Sequence, residues 1–361
     1  MKFLLVNTDY DGFLKWLYGR EDRLAGKSYE EQMRVRNDSL FGTADFYSTN
    51  LKKLGHEAID IHANNVPLQT AWAKEQGFDP KESVLKKLFC SGGAKKKVLM
   101  GILAEQIKYY RPDIILSHDI TISGNFWRST KPYYKLLIGQ HASPMSKKCD
   151  IKEYDLLLSS LPNLVQYFQR EGVKSRLWRL GFEETVLEKL GEVKDEYQVS
   201  FIGSVSSAHE TRKKWLDKIN KKIPVHIWGE GDIRGYQHYH GVAWGKEMFR
   251  ILKASKIVLN CHIDMAGDYA NNMRLFETTG CGSLLMTDSK KNMSDMFEPG
   301  KEVVCYNSAE DCSEFIEYYL SHEEERKKIA IAGQSRTLRE HTYYNRMEEL
   351  VFIVKETIDG K

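Results

Sequence analysis

Residues 256–288, KIVLNCHIDMAGDYANNMRLFETTGCGSLLMTD, read as strand, polar loop, helix, glycine turn and strand. The apolar run Ile257-Val258-Leu259 ends in Asn260-Cys261-His262. A loop of acidic and small residues follows, from Asp264 to Asn272. A short helix then carries Arg274, Phe276 and Glu277 and is closed by Gly280 and Gly282. Ser283 opens a second apolar run that ends at Asp288. In an α/β sheet, ligands sit outside the carboxyl ends of the strands, where helix N-termini point free N–H groups at anions. This segment places two strand ends and one helix start within about thirty residues and loads them with polar side chains.

Outward from this stretch the same scheme repeats. Apolar runs at 3–6, 56–61, 113–117, 136–141 and 155–159, then at 199–202, 225–228 and 303–306, alternate with helical patterns. The runs are continuous, not alternating, which marks parallel strands covered on both faces. Residues 41–54 and 98–110 predict helices, the first capped by Gly55 and the second stopped at Arg111-Pro112. Residues 64–97 read as a polar insertion with helices. The pattern pauses near Leu180-Gly181-Phe182, so the expected division is 1–181, 182–343 and a terminal helix at 344–361.

The hydrophobic fraction of 42% is enough for two buried cores in 361 residues. Basic and acidic residues number 53 and 50, a near-balance that argues against a nucleic-acid binder. Runs such as Lys95-Lys96-Lys97 are read as solvated helix faces. The six cysteines show neither CxxC nor zinc spacing. The apolar start, 3–6, is too short for a signal segment, and no run approaches a membrane span. The expectation is a reduced, cytoplasmic protein, with peripheral membrane contact left open.

The stretch Asn271-Asn272-Met273-Arg274-Leu275-Phe276-Glu277, with Gly280-Cys281-Gly282 after it, resembles the donor-site helix of GT-B glycosyltransferases. It is most similar to the branch of CgeB-like spore-maturation proteins. The continuation 296–306, then Ala332-Gly333 and 339–343, is also similar, so the resemblance is specific over 198–345. It implies an α/β fold of GT-B type: two Rossmann-like domains facing a central cleft, with the C-terminal helix crossing back to the first domain. It also implies transfer of a sugar from a nucleotide-diphosphate sugar to an acceptor hydroxyl of a glycan, glycoconjugate or small molecule. No metal and no cofactor beyond that donor is implied.

The candidate donor residues are Gly203, Ser204, Arg212, Trp228, Trp244, Asn260, His262, Asn271, Asn272, Arg274 and Glu277. The turn 203–207 follows a strand and precedes a helix, so its N–H groups could cradle a phosphate; it could equally be a plain turn. Arg274 opposes the dipole of its own helix start, which a bound anion would rationalise and a salt bridge to Asp268 would too. Glu277 lies three residues on, on the same face. A carboxylate accepts two hydroxyl hydrogen bonds, and in the family the matching Glu takes the ribose diol. Trp228 and Trp244 stack on a base or pack in the core. Many retaining members carry a second Glu eight positions earlier, where this chain has Tyr269.

On the first half, Asp9, Asp11 and His141 are acceptor-side candidates, and His118-Asp119 is the leading one for a catalytic pair; a structural His118 is the bland alternative. Arg274 completes the catalytic candidates. A nucleotide-sugar epimerase and a non-catalytic nucleotide-binding protein remain the competing functions.

Overall fold

The computed structural model describes residues 1–78, 93–206 and 210–360. Part of the 64–97 segment, Cys90 and Ser207 therefore lie outside the described residues. The structure divides into two compact units. The first comprises Met1–Ser159, Asn163–Leu177 and Met347–Lys361; the second comprises Ser160–Pro162 and Trp178–Arg346.

In unit 1 the chain runs β1 (Lys2–Asn7), α1 (Asp11–Arg20), α2 (Tyr29–Asp38), α3 (Phe46–Lys53), β2 (Glu57–His62), α4 (Val66–Glu75) and α5 (Gly93–Tyr110). It continues through β3 (Ile114–Ser117), α6 (Gly124–Thr130), β4 (Leu136–Gln140), β5 (Leu156–Ser159), α7 (Pro162–Arg170) and β6 (Ser175–Leu177). The described strands pair in parallel in the order β2-β1-β3-β4-β5-β6. Phe3, Leu4, Leu5 and Val6 are all fully buried, as a strand covered on both faces requires. Helix α3 starts at Phe46, five residues later than its pattern predicts, because Leu40, Gly42 and Ala44 take positive φ and form a turn there. Strand β6 escaped the sequence reading because Ser-Arg-Leu at a sheet edge presents no apolar run.

Unit 2 contains α8 (Thr185–Leu190), β7 (Tyr197–Ile202), α9 (Glu210–Asn220), β8 (His226–Trp228), α10 (Lys246–Lys253), β9 (Ser255–Asn260), α11 (Met273–Cys281) and β10 (Leu284–Asp288). Then come β11 (Val304–Tyr306), α12 (Ala309–Ser321) and α13 (Glu323–Glu340). The order is β11-β10-β9-β7-β8, again parallel. One face of this sheet, with Val199, Phe201, Ile257, Leu259, Leu284 and Met286, packs against Trp215, Leu216 and Ile219 of α9 and Cys312 and Ile316 of α12. The last helix, α14 (Tyr343–Asp359), counts with unit 2 through Arg346 and with unit 1 from Met347 onward.

The two sheets share one topology. In each, the first strand lies next to one edge, with the second strand on its outer side and the third on its inner side. Strand order therefore reverses between β1 and β3 and between β7 and β9, and such switch points are where α/β sheets bind ligands. No helix among the described residues is long and apolar enough to cross a membrane.

Candidate functional site

In unit 2 the ends of β9 and β10 and the start of α11 are joined by one chain of hydrogen bonds. Asn272 Nδ2 donates to Asn260 Oδ1 (2.8 Å), and Asn260 Nδ2 donates to Thr287 Oγ1 (2.9 Å). Thr287 Oγ1 donates to Asp288 Oδ1 (3.3 Å), which also accepts from His262 N (3.0 Å) and meets His262 Nδ1 at 2.6 Å. Burial alone would raise the Asp288 carboxyl, but the His262 contact outweighs it and holds the group at about 2. With Asp288 on its Nδ1, the His262 ring is fixed, and its Nε2 is buried without a protein partner. Asn271 faces Ser160, with Nδ2 at 3.4 Å from Ser160 Oγ.

Helix α11 begins without a capping side chain: Asn272 is the N-cap, yet its amide reaches away to Asn260. The first-turn N–H groups thus keep their partial positive charge, and the turn holds no acidic residue. Arg274 Nη1 donates to Glu277 Oε2 at 2.7 Å, while Arg274 Nε is buried with no partner. Glu277 is 5% exposed; burial raises its carboxyl, and Arg274 works in the opposite direction. The pairing of Arg274 is with Glu277, not with Asp268, which binds Lys291. A buried orphan donor beside an uncapped helix start is an arrangement that an anion completes.

Several donor candidates have other tasks. Gly203 N donates to Trp228 O (2.9 Å) and Val205 N to Glu230 O (2.9 Å), so those amides are not free to cradle a phosphate. The pairing is close enough that a Cβ on Gly229 would lie 2.0 Å from Gly203 O, and one on Gly231 1.8 Å from Val205 O. Ser204 gives its carbonyl to Arg212 Nη1 (2.7 Å), and Arg212 Nε and Nη2 reach Cys261 O (3.1 and 2.6 Å). Arg212 is therefore a buried tie across the β7/β9 switch point, because those three contacts spend its guanidinium on backbone carbonyls. Trp228 is buried and stacks on His240, ring centroids 4.5 Å apart, with Tyr197 edge-on at 5.0 Å. Its contacts are those of a packing residue. Trp244 is half-buried.

In unit 1 a cavity of about 260 Å³ lies at the carboxyl ends of β1, β2 and β3. Thr8, Asn64 and Asp119 line it from the strand ends, and Asp11 from the start of α1. Lys95, Lys96, Leu99 and Met100 line it from α5. The sequence reading of Lys95-Lys96-Lys97 as a solvated face holds for the exposed Lys96 and Lys97, while Lys95 is half-buried; Lys95 and Lys96 also line the cavity. Of the pair His118-Asp119, only Asp119 is among the lining residues. The His118 Nε2 is buried without a partner, Tyr47 packs edge-on at 5.4 Å, and burial pushes the imidazole down to about 4. Asp9 is structural: its carboxylate is 2.6 Å from Arg36 Nη2 and 3.2 Å from His62 Nδ1, all buried. Burial would raise it, but His62 and Arg36 hold it well below the usual carboxylate range. His141, half-buried, has Nε2 3.4 Å from Ser143 Oγ. Asp288 and Thr287 of the polar chain and Asn64 and Lys95 of the cavity were not among the sequence candidates; only the strand-end position of Asp288 signalled one of them.

Residues 211–351 match the family model described as glycosyl transferase-like. No curated protein matches the chain. Among solved structures, the whole chain aligns with sucrose-phosphate synthase from Thermosynechococcus elongatus over all of both chains, at 10% identity and a TM-score of 0.60. It aligns with a Rickettsia africae glycosyltransferase over all of both chains, at 13% identity and a TM-score of 0.57. Anabaena HepE in complex with UDP-glucose covers 99% of this chain and 100% of its own, at 10% identity and a TM-score of 0.57. The fold is GT-B. Within this GT-B chain the glycosyl transferase-like match falls on the residues that build the α11 site and its polar chain, apart from the β7 turn. At such identities the likeness of the solved structures speaks for the fold, and the chemistry has to come from the site.

Proposed function

We propose that this protein transfers a sugar from a nucleotide-diphosphate sugar to an acceptor hydroxyl, with the donor in unit 2 and the acceptor in unit 1. The observation that carries the reading is the start of α11: uncapped, free of acid, with Arg274 Nε buried and unpartnered beside Glu277. The helix N–H groups and Arg274 meet the diphosphate, whose charge grows as it leaves. Glu277 accepts the ribose hydroxyls, while Asn271 and Asn272 and the orphan Nε2 of His262 serve the sugar side. In the transfer, the acceptor oxygen bonds to the anomeric carbon as the bond from that carbon to the diphosphate oxygen breaks. The electron pair leaves with the nucleoside diphosphate, and the acceptor proton passes to the Asp119 carboxylate. The helix dipole and Arg274 supply positive charge, so the reading includes no metal.

HepE is described with UDP-glucose and with UDP, and a uridine donor is the first to try here. The segment 271–282 supports placement on the CgeB-like branch, and a cytoplasmic location goes with that reading. The test is a thermal-shift screen against UDP, GDP, dTDP and ADP, with and without EDTA. A ligand confined to the folded state raises the melting temperature by mass action. One nucleotide is expected to give a shift that EDTA leaves alone. Glu277→Ala is expected to weaken that nucleotide about tenfold or more, at least roughly 1.4 kcal/mol. Unchanged affinity in Glu277→Ala removes the ribose assignment, and no shift with any nucleotide at millimolar concentration removes the donor site.

A further inference from the structure

The unit 1 cavity carries charge of both signs, sorted by wall. Lys95 and Lys96 stand in the first turn of α5, where no acidic residue is present. Among the described residues neither lysine pairs with an acid. Two ammonium groups added to the positive end of an eighteen-residue helix repel one another and the dipole, and an anion between them relieves both. The facing wall is acidic and already oriented. Asp119 Oδ1 accepts from Thr121 N (2.9 Å) and Thr121 Oγ1 (2.6 Å), which fixes the carboxylate plane. Asn64 is clamped to the Asp9 backbone in both directions, at 2.8 and 2.7 Å. Fixed carboxylate and amide groups take hydroxyls. Leu99 and Met100, one turn further along α5, add an apolar strip to the lysine wall, suited to the C–H face of a sugar ring. The cavity sits at the β1/β3 switch point, between Thr8 and Asp119.

We propose that this cavity binds a hydroxyl-bearing acceptor that also carries one anionic group, a phosphate or a carboxylate, with the anion on Lys95 and Lys96 and a hydroxyl at Asp119. At about 260 Å³ it lies below the roughly 300–1,000 Å³ of drug-sized sites, so it takes a single sugar-sized unit. The word acceptor rests on the glycosyl-transfer reading; the binding of an anionic sugar does not.

Calorimetric titration of the full chain, without nucleotide, tests this with glucose 6-phosphate, glucuronate and neutral glucose as probes. One of the two anionic sugars is expected to bind at least tenfold more tightly than glucose, and which one does so names the phosphate or the carboxylate. The Lys95→Gln/Lys96→Gln variant is expected to lose that preference while its UDP affinity stays at the wild-type value. The proposal is overturned if neither anionic sugar binds at millimolar concentration, if glucose binds as tightly as both, or if the double variant keeps the preference. UDP titrated into the same samples separates the two readings. An anionic sugar that binds where no nucleotide does leaves this site standing and removes the donor site, and the converse result does the reverse.

Discussion

At the scale of single residues, two carboxylates with depressed ionisation do different work. Asp9 is sealed between Arg36 and His62 at the end of β1. Removing its charge leaves a buried guanidinium without a counter-ion, which costs about 3–5 kcal/mol. Asp9→Asn is therefore expected to lower the denaturant midpoint strongly, and a midpoint within error of wild type would refute the ion-pair account. Asp288 is held at about 2 by His262, helped by Lys290 at 3.1 Å, against an unfolded value of about 3.9. Its contribution is full above pH 4 and is lost as the pH falls toward 2, so stability should drop across that window. In Asp288→Asn the part of the drop between pH 4 and 2 should shrink, as followed by the melting temperature from pH 5 to 2. Glu277 shows the contrary case: burial raises its carboxyl, and Arg274 keeps the charged form accessible. The neighbourhood of Arg274 and Glu277 on one helix beyond a strand end was legible in the sequence, because a spacing of three residues is a local signal. The buried orphan Nε of Arg274 was not, because it depends on side chains distant in sequence.

At the scale of elements, close approach explains which glycines matter. Helix α11 lies against Phe182 so tightly that a Cβ on Gly280 would stand 2.4 Å from the ring. Gly280→Ala is expected to cost about 1–3 kcal/mol by overpacking. Because the three nearest atoms all belong to the Phe182 side chain, Phe182→Leu should recover part of that loss, and additive costs in the double variant would argue against direct contact. Gly231 differs, since its neighbour is the Val205 carbonyl and its φ is +102°. No side-chain change relieves that, so Gly231→Ala should disorder the β7 turn and lower the melting temperature, with no Phe182-like rescue available. The Gly203-Ser204 turn was a reasonable phosphate cradle in sequence terms. Pairing with Trp228 and Glu230 takes up the amides of Gly203 and Val205 and makes the turn a brace.

For the molecule as a whole, α14 connects the two compact units in sequence. From Met347 onward it belongs to unit 1 and buries Met347, Leu350, Ile353 and Val354. Four such side chains contribute roughly 6–12 kcal/mol at about 1.5–3 kcal/mol each, comparable with the whole stability of a domain at about 5–15 kcal/mol. Deleting 347–361 is expected to abolish the unfolding transition of unit 1 while nucleotide binding by unit 2 persists; a truncated chain that keeps both transitions would contradict this. The sequence by itself determined the α/β class and the parallel strands, because continuous apolar runs and helix periods are local signals, and the resemblance carried by 271–282 supplied the expected GT-B type. Only the tertiary structure decided that Arg212 braces the β7/β9 switch point, that Trp228 packs on His240, and that Lys95 and Lys96 face a cavity beside Asp119. Those outcomes turn on which backbone carbonyls, rings and strand ends meet across the fold. Contacts between residues tens of positions apart are set by sheet order and helix rotation, which no local pattern in the chain encodes.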